Sequence, residues 1–559
     1  MVRIALFLFA LTLSLTAQPT LILTNGRIFT GIASPRFAEA VAIHGSNITH
    51  VGTSGAIAKM AGPNTKVIDL KGRFAMAGFN DAHTHFLSGS LGLREVDLTG
   101  ACTIEEMQRR VRDFAERHPE AEWITGSGWE YSCFPANRLA RKEDLDLAVK
   151  DRPAFIRAYD GHSAWANSKA LRIGEVTRDT SFTGFGEIDK DAKTGEPTGY
   201  LKESAAGLVR RHVPKPAHAV KLAALEQGYK LHAQLGITSI QNASGSPEDL
   251  ALYEELLRAG KITARTSIVM SAANKDAPFA DWALLKKQHS TGLLRVLGVK
   301  FLLDGVIESH TAAMLEPYSD GAETMGQMSW KPGEYQEAVA RADRLGLQIY
   351  THAIGDRAVR TALDAYEYAV QRNGPRFHLN QRDRRFRIEH IETIAATDVP
   401  RFAVTNTMAV MQPIHADPGT IDVWTRAAGP ARTNLGFPWR SLLNAGARLV
   451  FSSDWPACIS LDPIRGLHNA VNRRTIDGKP EAGWHPEQRV SVETALRAYT
   501  LGGAIASFEE RTKGTIEPGK LADIVVLTQD VTKVDPMKIH ETRVAMTVFD
   551  GRVIYESGS

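Results

Sequence analysis

A chain of 559 residues, 43% hydrophobic and 23% charged, exceeds the usual size of one compact core, so it requires a large domain with additions or several domains. The formal net charge is only +3 and the basic residues are scattered, which excludes an electrostatic footprint for nucleic acid. The only cysteines, Cys102, Cys133 and Cys458, are odd in number and widely spaced, which argues against both a disulfide framework and a cysteine zinc site.

In chain order, residues 1–17 place one arginine before an apolar run from Ile4 to Leu15 and end on small and polar residues, the pattern of a secretory signal peptide. A buried strand or a retained anchor is the alternative. The expectation is an exported protein, periplasmic or secreted, with no membrane attachment after cleavage. From residue 18 to 75, "LILTNGRIFTG", "EAVAIHGSNITHVGT" and "KVIDLKGRFAMAG" are short β-rich runs broken by Gly and Asn turns. Residues 505–559 repeat the pattern in "GTIEPGKLADIVVLTQD" and "RVAMTVFDGRVIYESGS", so two half-sheets from opposite termini are expected to pair as a small β-sandwich.

Between them, residues 76–504 alternate β-branched runs with helical patterns such as "VKLAALEQGYKLHAQLG", the rhythm of βα units around a parallel sheet. Eight strands can be placed: "GFNDAHTH", "ITSIQNA", "TARTSIVM", "VKFLLDG", "LQIYTHAI", "RIEHI", "FAVTNTMAV" and "RLVFSSD". The expected fold is therefore α/β, a TIM (β/α)8 barrel. About residues 91–215 separate the first strand from the second and carry their own strands and helices, which makes them an insertion. The run "RDRRFR", residues 382 to 387, reads as a solvated loop before the sixth strand.

In such barrels the reactive residues project from the C-terminal strand ends. His83 and His85 end the first strand, Lys300 lies in the fourth, His352 in the fifth, His390 in the sixth, and Asp454 ends the eighth. Side chains two apart on a strand point to the same side, so His83 and His85 can grip one ion. Singly, each histidine has a bland alternative as a satisfied core residue. Lys300 resists that account, because its neighbours in "LGVKFLL" are apolar and a bare ammonium among them is costly.

The order His-x-His, Lys, His, His, Asp resembles the amidohydrolase superfamily, in its binuclear subtype with a carboxylated lysine. "GFNDAHTH", "VKFLLDG", "THAIGDRAV", "RIEHIE", "SSDWP" and "GTIEPGKLADIVVL", with "DGHSAWANSKAL" in the insertion, resemble the amidohydrolase 3 branch typified by N-substituted formamide deformylase. Ala77 and Asn80 depart from the proline and aliphatic residue usual before the His-x-His pair, at positions that supply no ligand. The resemblance implies that His83, His85 and Asp454 bind one divalent metal and that His352 and His390 bind a second. It implies that Lys300 bridges both as a carbamate, and that Asp454 serves as general base and then acid. Unmodified Lys300 in a mononuclear site stays open at this stage. Zinc suits imidazole and carboxylate ligands, as do manganese, iron and cobalt.

His162, His310, Trp129 and Asp356 lie on segments expected to overhang the barrel mouth and are the candidates for substrate binding. Against this, Trp129 and Trp165 can equally pack the insertion, and Asp356 can cap a helix; Glu203 is undecided. The expected activity is cleavage of a C–N bond in a small-molecule amide, N-acyl or N-formyl compound by metal-activated hydroxide. Ester, lactone or carbamate hydrolysis at the same site and a non-catalytic ligand-binding role are the rivals. Homo-oligomerisation is left open by the sequence.

Overall fold

Eight parallel strands lie at the centre of the computed structural model, which describes residues 18–134, 138–374 and 383–558. The secretory leader expected at residues 1–17 lies outside the described residues. The barrel strands are β1 (Phe79–Thr84), β2 (Ile237–Gly245), β3 (Arg265–Ala272), β4 (Leu294–Leu302), β5 (Gln348–Ala353), β6 (Arg387–His390), β7 (Met408–Met411) and β8 (Arg448–Phe451). They pair in sequential order, every pairing parallel. Every residue of β1, β5, β6 and β7 is buried, as a sheet covered on both faces requires. The seam between β8 and β1 is joined just past β8. There the Asp454 N–H donates to the His83 carbonyl (2.8 Å) and the His85 N–H to the Trp455 carbonyl (2.7 Å). These bonds fix the loop carrying Asp454 against the end of β1.

All eight expected strands are present with shifted boundaries, of which those of the seventh and eighth bear on the strand ends. The stretch taken as the start of the seventh strand forms a short helix, Arg401–Val404, because Asn406 turns the chain with φ of 52° and delays β7 until Met408. The eighth strand stops at Phe451, which leaves Asp454 in the loop with φ of 64°.

The half-sheets at the two ends of the chain meet. Ile524–Leu527 pairs antiparallel with Phe74–Ala77, which in turn runs parallel to Arg27–Phe29. Phe74–Ala77 passes directly into β1 through Gly78, where a Cβ would sit 2.2 Å from the Thr238 hydroxyl, so only glycine allows so close a passage. A separate four-stranded sheet of residues 47–52, 40–44, 21–24 and 66–69 completes this part of the molecule.

The insertion after β1 forms a six-stranded sheet, in the order 186–190, 197–203, 163–166, 154–158, 124–129 and 96–97. Cys102 and Cys133 form a disulfide within it, a correction to the sequence reading. The pairing joins a loop to a short 3-10 helix 31 residues apart in sequence, and an odd cysteine count at wide spacing gives no signal for it. Trp129 and Trp165 are fully buried in the hydrophobic core of this sheet.

The arginine run before β6 also differs from expectation. Arg384 pairs with Asp343 (2.8 Å), Arg385 with Glu510 (2.7 Å), and Arg387 is wholly buried inside the barrel. The guanidinium groups are matched by carboxylates from distant segments, Asp343 and Glu510, which a local charge pattern does not reveal.

Candidate metal centre

At the C-terminal mouth of the barrel, five of the predicted residues touch in a chain of contacts. Asp454 Oδ1 lies 3.3 Å from His83 Nε2 and 3.2 Å from His85 Nε2, and its Oδ2 lies 3.8 Å from His390 Nδ1. Lys300 Nζ lies 3.2 Å from His83 Nε2. The sixth, His352, has its ring 4.5 Å from that of His390. His390 and Asp454 both adopt left-handed backbone conformations, with φ of 76° and 64°, so strain is concentrated where their side chains turn into the mouth.

The outer nitrogens of the imidazoles are held by partners. His83 Nδ1 meets Glu389 Oε2 at 2.5 Å, His85 Nδ1 meets Ser244 Oγ at 2.6 Å, His390 Nδ1 meets Gln412 Oε1 at 2.9 Å, and His352 Nε2 meets the Gly305 carbonyl at 3.3 Å. A carboxylate, an amide oxygen and a carbonyl accept hydrogen bonds, so the partnered nitrogens of His83, His390 and His352 carry the protons and their other nitrogens are bare. Burial, reinforced by Lys300 and by neighbouring imidazoles, holds His83 and His390 well below the ordinary histidine pKa. His352 is held low by burial and then by His162 and Lys300. Burial likewise lowers Lys300 to about 8, against the opposing pull of Glu389 and Asp454. The lysine is thus drawn toward the neutral amine.

The fit of this cluster to a cation rests on Asp454. Its Oδ1 is buried and accepts no hydrogen bond among the described residues. It faces His83 Nε2, whose lone pair accepts from Lys300 Nζ (3.2 Å), so carboxylate and imidazole electron pairs converge beside the lysine on a position where positive charge is favoured. His83, His85 and Asp454 bring their donor atoms within one ion's coordination sphere, as do His390, His415 and Asp454. Imidazole and carboxylate donors suit zinc and its neighbours.

The sequence reading did not single out Arg387, Glu389 or His415. Arg387 donates to Glu389 Oε1 (2.8 Å), to Gln241 Oε1 (2.6 Å) and to the Ala82 carbonyl (2.8 Å), and stacks on Tyr350 with its guanidinium carbon 3.7 Å from the ring centre. It thereby fixes Glu389, which fixes His83. His415 lies parallel to His390 with ring centres 6.0 Å apart, its Nε2 2.9 Å from the Ala457 carbonyl and its Nδ1 3.6 Å from Glu392. It stands in "MQPIHAD", immediately past β7, where the strand-end rule applied to the seventh strand points.

The four substrate-binding candidates separate. His162 is beside the cluster, its ring 5.1 Å from that of His352, with Nδ1 2.9 Å from Glu203 Oε2. Burial opposes its positive charge, but the carboxylates of Glu203, Asp160 and Asp454 together outweigh burial and raise His162 to about 9. His310 pairs with Asp320 (2.7 Å) and rests edge-on against Tyr318. Trp129 is a correction: its indole N–H donates to the Ile156 carbonyl (3.0 Å) and its ring packs on Tyr131, Phe134 and Tyr200, so it is core of the insertion and forms no wall of the mouth. Asp356 accepts from the Leu315 N–H (2.8 Å) and lies 3.7 Å from Arg432, so it ties loops to its helix and makes no contact with the histidines.

Asp304, at the end of "VKFLLDG", accepts three backbone N–H bonds, from Ala313 (2.8 Å), Ile354 (3.1 Å) and Gly355 (2.8 Å), and lies 3.7 Å from His352 Nε2. Asp304→Ala leaves three buried donors without an acceptor and is expected to cost about 3 kcal/mol or more of stability. Urea unfolding of wild type and variant measures this; a loss below about 1 kcal/mol contradicts the assigned role.

Fold and cluster together define a class, a barrel hydrolase with an imidazole and carboxylate centre at the strand ends. Comparison with known proteins gives the family: the profile of the amidohydrolase family matches residues 66–555, and the chain belongs to that family. It is 32% identical to Protein LONG AFTER FAR-RED 3 of Arabidopsis thaliana, over 91% of this chain and 87% of that one. It is 28% identical to N-substituted formamide deformylase of Arthrobacter pascens, over 97% and 99%. An uncharacterized metal-dependent hydrolase of Pyrococcus furiosus superposes with a TM-score of 0.70 at 28% identity, over 92% of this chain and all of that one.

Proposed function

We propose that the protein hydrolyses a C–N bond of a small N-acyl or N-formyl compound at a centre of two divalent ions, zinc first among them. His83, His85 and Asp454 would hold one ion and His352 and His390 the other. The observation that carries this reading is the buried Asp454 Oδ1, which has no hydrogen-bond partner among the described residues and faces two imidazole nitrogens. The full-length similarity to a formamide deformylase supports the choice of bond. When bound, the ions supply Lewis acidity that favours ionisation of water and polarises a carbonyl.

The chain's own groups supply the rest. Lys300, drawn toward its neutral form, can add to carbon dioxide through Nζ, releasing a proton and leaving an anionic carbamate between the two histidine pairs. Asp454 has an oxygen free to accept a proton and return it to the departing nitrogen, general base followed by general acid. His162, kept protonated by Glu203, can donate a hydrogen bond to the substrate carbonyl. Glu389 and Arg387 hold His83 in position from below. Export directed by residues 1–17 belongs to the same proposal.

Metal analysis, mass measurement of the Lys300 peptide and a matched panel of formamides, esters, lactones and carbamates test the reading. The expected results are two divalent ions per chain, a mass increment of one carbon dioxide at Lys300, and formamide hydrolysis abolished by a chelator and restored by zinc. Turnover of esters alone would change the bond. Metal-free protein with chelator-insensitive turnover would overturn the centre.

A further inference from the structure

We propose that a cavity between the insertion and the barrel, beside the metal centre, binds an anionic substituent of the substrate, a carboxylate next to an apolar group. The inference rests on the hydrolase reading above and narrows its substrate class. The cavity measures about 440 Å³, and its lining includes Arg157, Arg210, His162, Glu203, Phe185 and Leu302. It adjoins the centre at two points. His162 faces His352 from the insertion side with ring centres 5.1 Å apart, and Leu302 lies two residues beyond Lys300 on β4.

The positive charge of this cavity is under-compensated. Glu203 is already engaged by His162 (2.9 Å) and by the Thr311 hydroxyl (2.7 Å). Arg157 donates to the Ser88 hydroxyl at 3.2 Å, and its nearest carboxylate, Glu95, stands 3.7 Å away, beyond hydrogen-bonding distance. Arg210 is exposed and pairs with no carboxylate among the described residues. Burial and the positive charge of Arg210 both press Arg157 toward losing its proton, and Glu95 opposes them. By contrast, Arg138 of the insertion meets Asp144 at 2.6 Å, and Arg152 donates to three backbone carbonyls. Two guanidinium groups lining one cavity, with no carboxylate within hydrogen-bonding distance of either among the described residues, form a planar donor set that fits a carboxylate. Leu302, 36% exposed, and half-buried Phe185 supply apolar contact beside it.

Calorimetric titration with 3-phenylpropanoate and its uncharged counterpart 3-phenylpropanamide tests the site, with N-formylphenylalanine and N-(2-phenylethyl)formamide as a matched pair for hydrolysis. The expected result is binding of the acid about tenfold or more tighter than the amide, and a kcat/KM ratio favouring the carboxylated formamide through KM. Arg210→Gln and Arg157→Gln should each lower the acid-over-amide ratio about tenfold. Arg210→Gln alters an exposed, unpaired side chain, so it remains decisive if Arg157→Gln fails to fold. A wild type without preference for the acid, or a preference intact in Arg210→Gln, as when the metal centre itself holds the carboxylate, overturns the site. Arginine-dependent binding of the acid without hydrolysis of either formamide would keep the site and overturn the formamide reading.

Discussion

Asp454→Asn is expected to lower kcat by about three orders of magnitude while leaving the chelated, metal-free protein as stable as wild type or slightly more so. The two halves of this expectation come from the same atom. Oδ1 of Asp454 is buried and accepts no hydrogen bond among the described residues, so replacing the carboxylate by an isosteric amide removes none of theirs at that oxygen. In the absence of metal it also relieves an electrostatic conflict. Asp454 lies near Asp81, whose carboxyl is pushed up to about 7 chiefly by burial and in part by the negative charge of Asp454. The amide cannot accept and return a proton, and it is a poorer metal donor than the carboxylate. The loop geometry should persist, because the bonds joining it to β1 are made by the backbone of residues 83, 85, 454 and 455. Turnover on a formamide, together with thermal melting in chelator, checks both parts. Activity within tenfold of wild type would remove Asp454 from the chemistry. A large drop in melting temperature would make it a structural residue.

How far the site could be read in advance depended on whether a residue's role is local. The six predicted centre residues lie at or just beyond strand ends, and parallel-barrel geometry fixes where strand ends go, so the sequence order of His83, His85, Lys300, His352, His390 and Asp454 carried spatial information. Glu389 and Arg387 stand within "RIEHI" itself, yet their importance lies in reaching across the barrel to His83, Ala82 and Gln241, contacts 146 to 306 residues distant in sequence. No periodicity encodes such a reach. The run before β6 was misread for the same reason, since Asp343 and Glu510 arrive from other segments to neutralise Arg384 and Arg385. Trp129 was ambiguous because a tryptophan beside a glycine-rich turn is compatible with either a cavity wall or a core, and only the packing of the insertion sheet decides. His415 lies four residues past the end of β7, in the loop to which the strand-end rule points, but no spacing within that loop marks it.

The polar network inside the barrel yields the second large effect. Arg387 and Glu389 are both fully buried and joined at 2.8 Å, and Glu389 in turn meets His83 Nδ1 at 2.5 Å. Removing one partner of a buried pair leaves an uncompensated charge and costs about 3 kcal/mol or more, whereas removing both charges together can be close to neutral. Arg387→Met and Glu389→Gln are therefore each expected to be strongly destabilising in urea unfolding. The double variant should recover most of that loss. Activity should not follow stability. Glu389 orients His83 and makes its inward nitrogen a better electron-pair donor to a metal, and a glutamine in its place accepts the hydrogen bond from Nδ1–H without the negative charge that strengthens that effect. The double variant should thus fold well, bind metal about ten- to a hundredfold more weakly and turn over correspondingly slowly. Competitive metal titration against a chromophoric chelator separates that weakening from unfolding. If the double variant regained wild-type metal affinity along with its stability, the pair would be a packing element only, and the orientation of His83 would have to come from the β1 backbone alone.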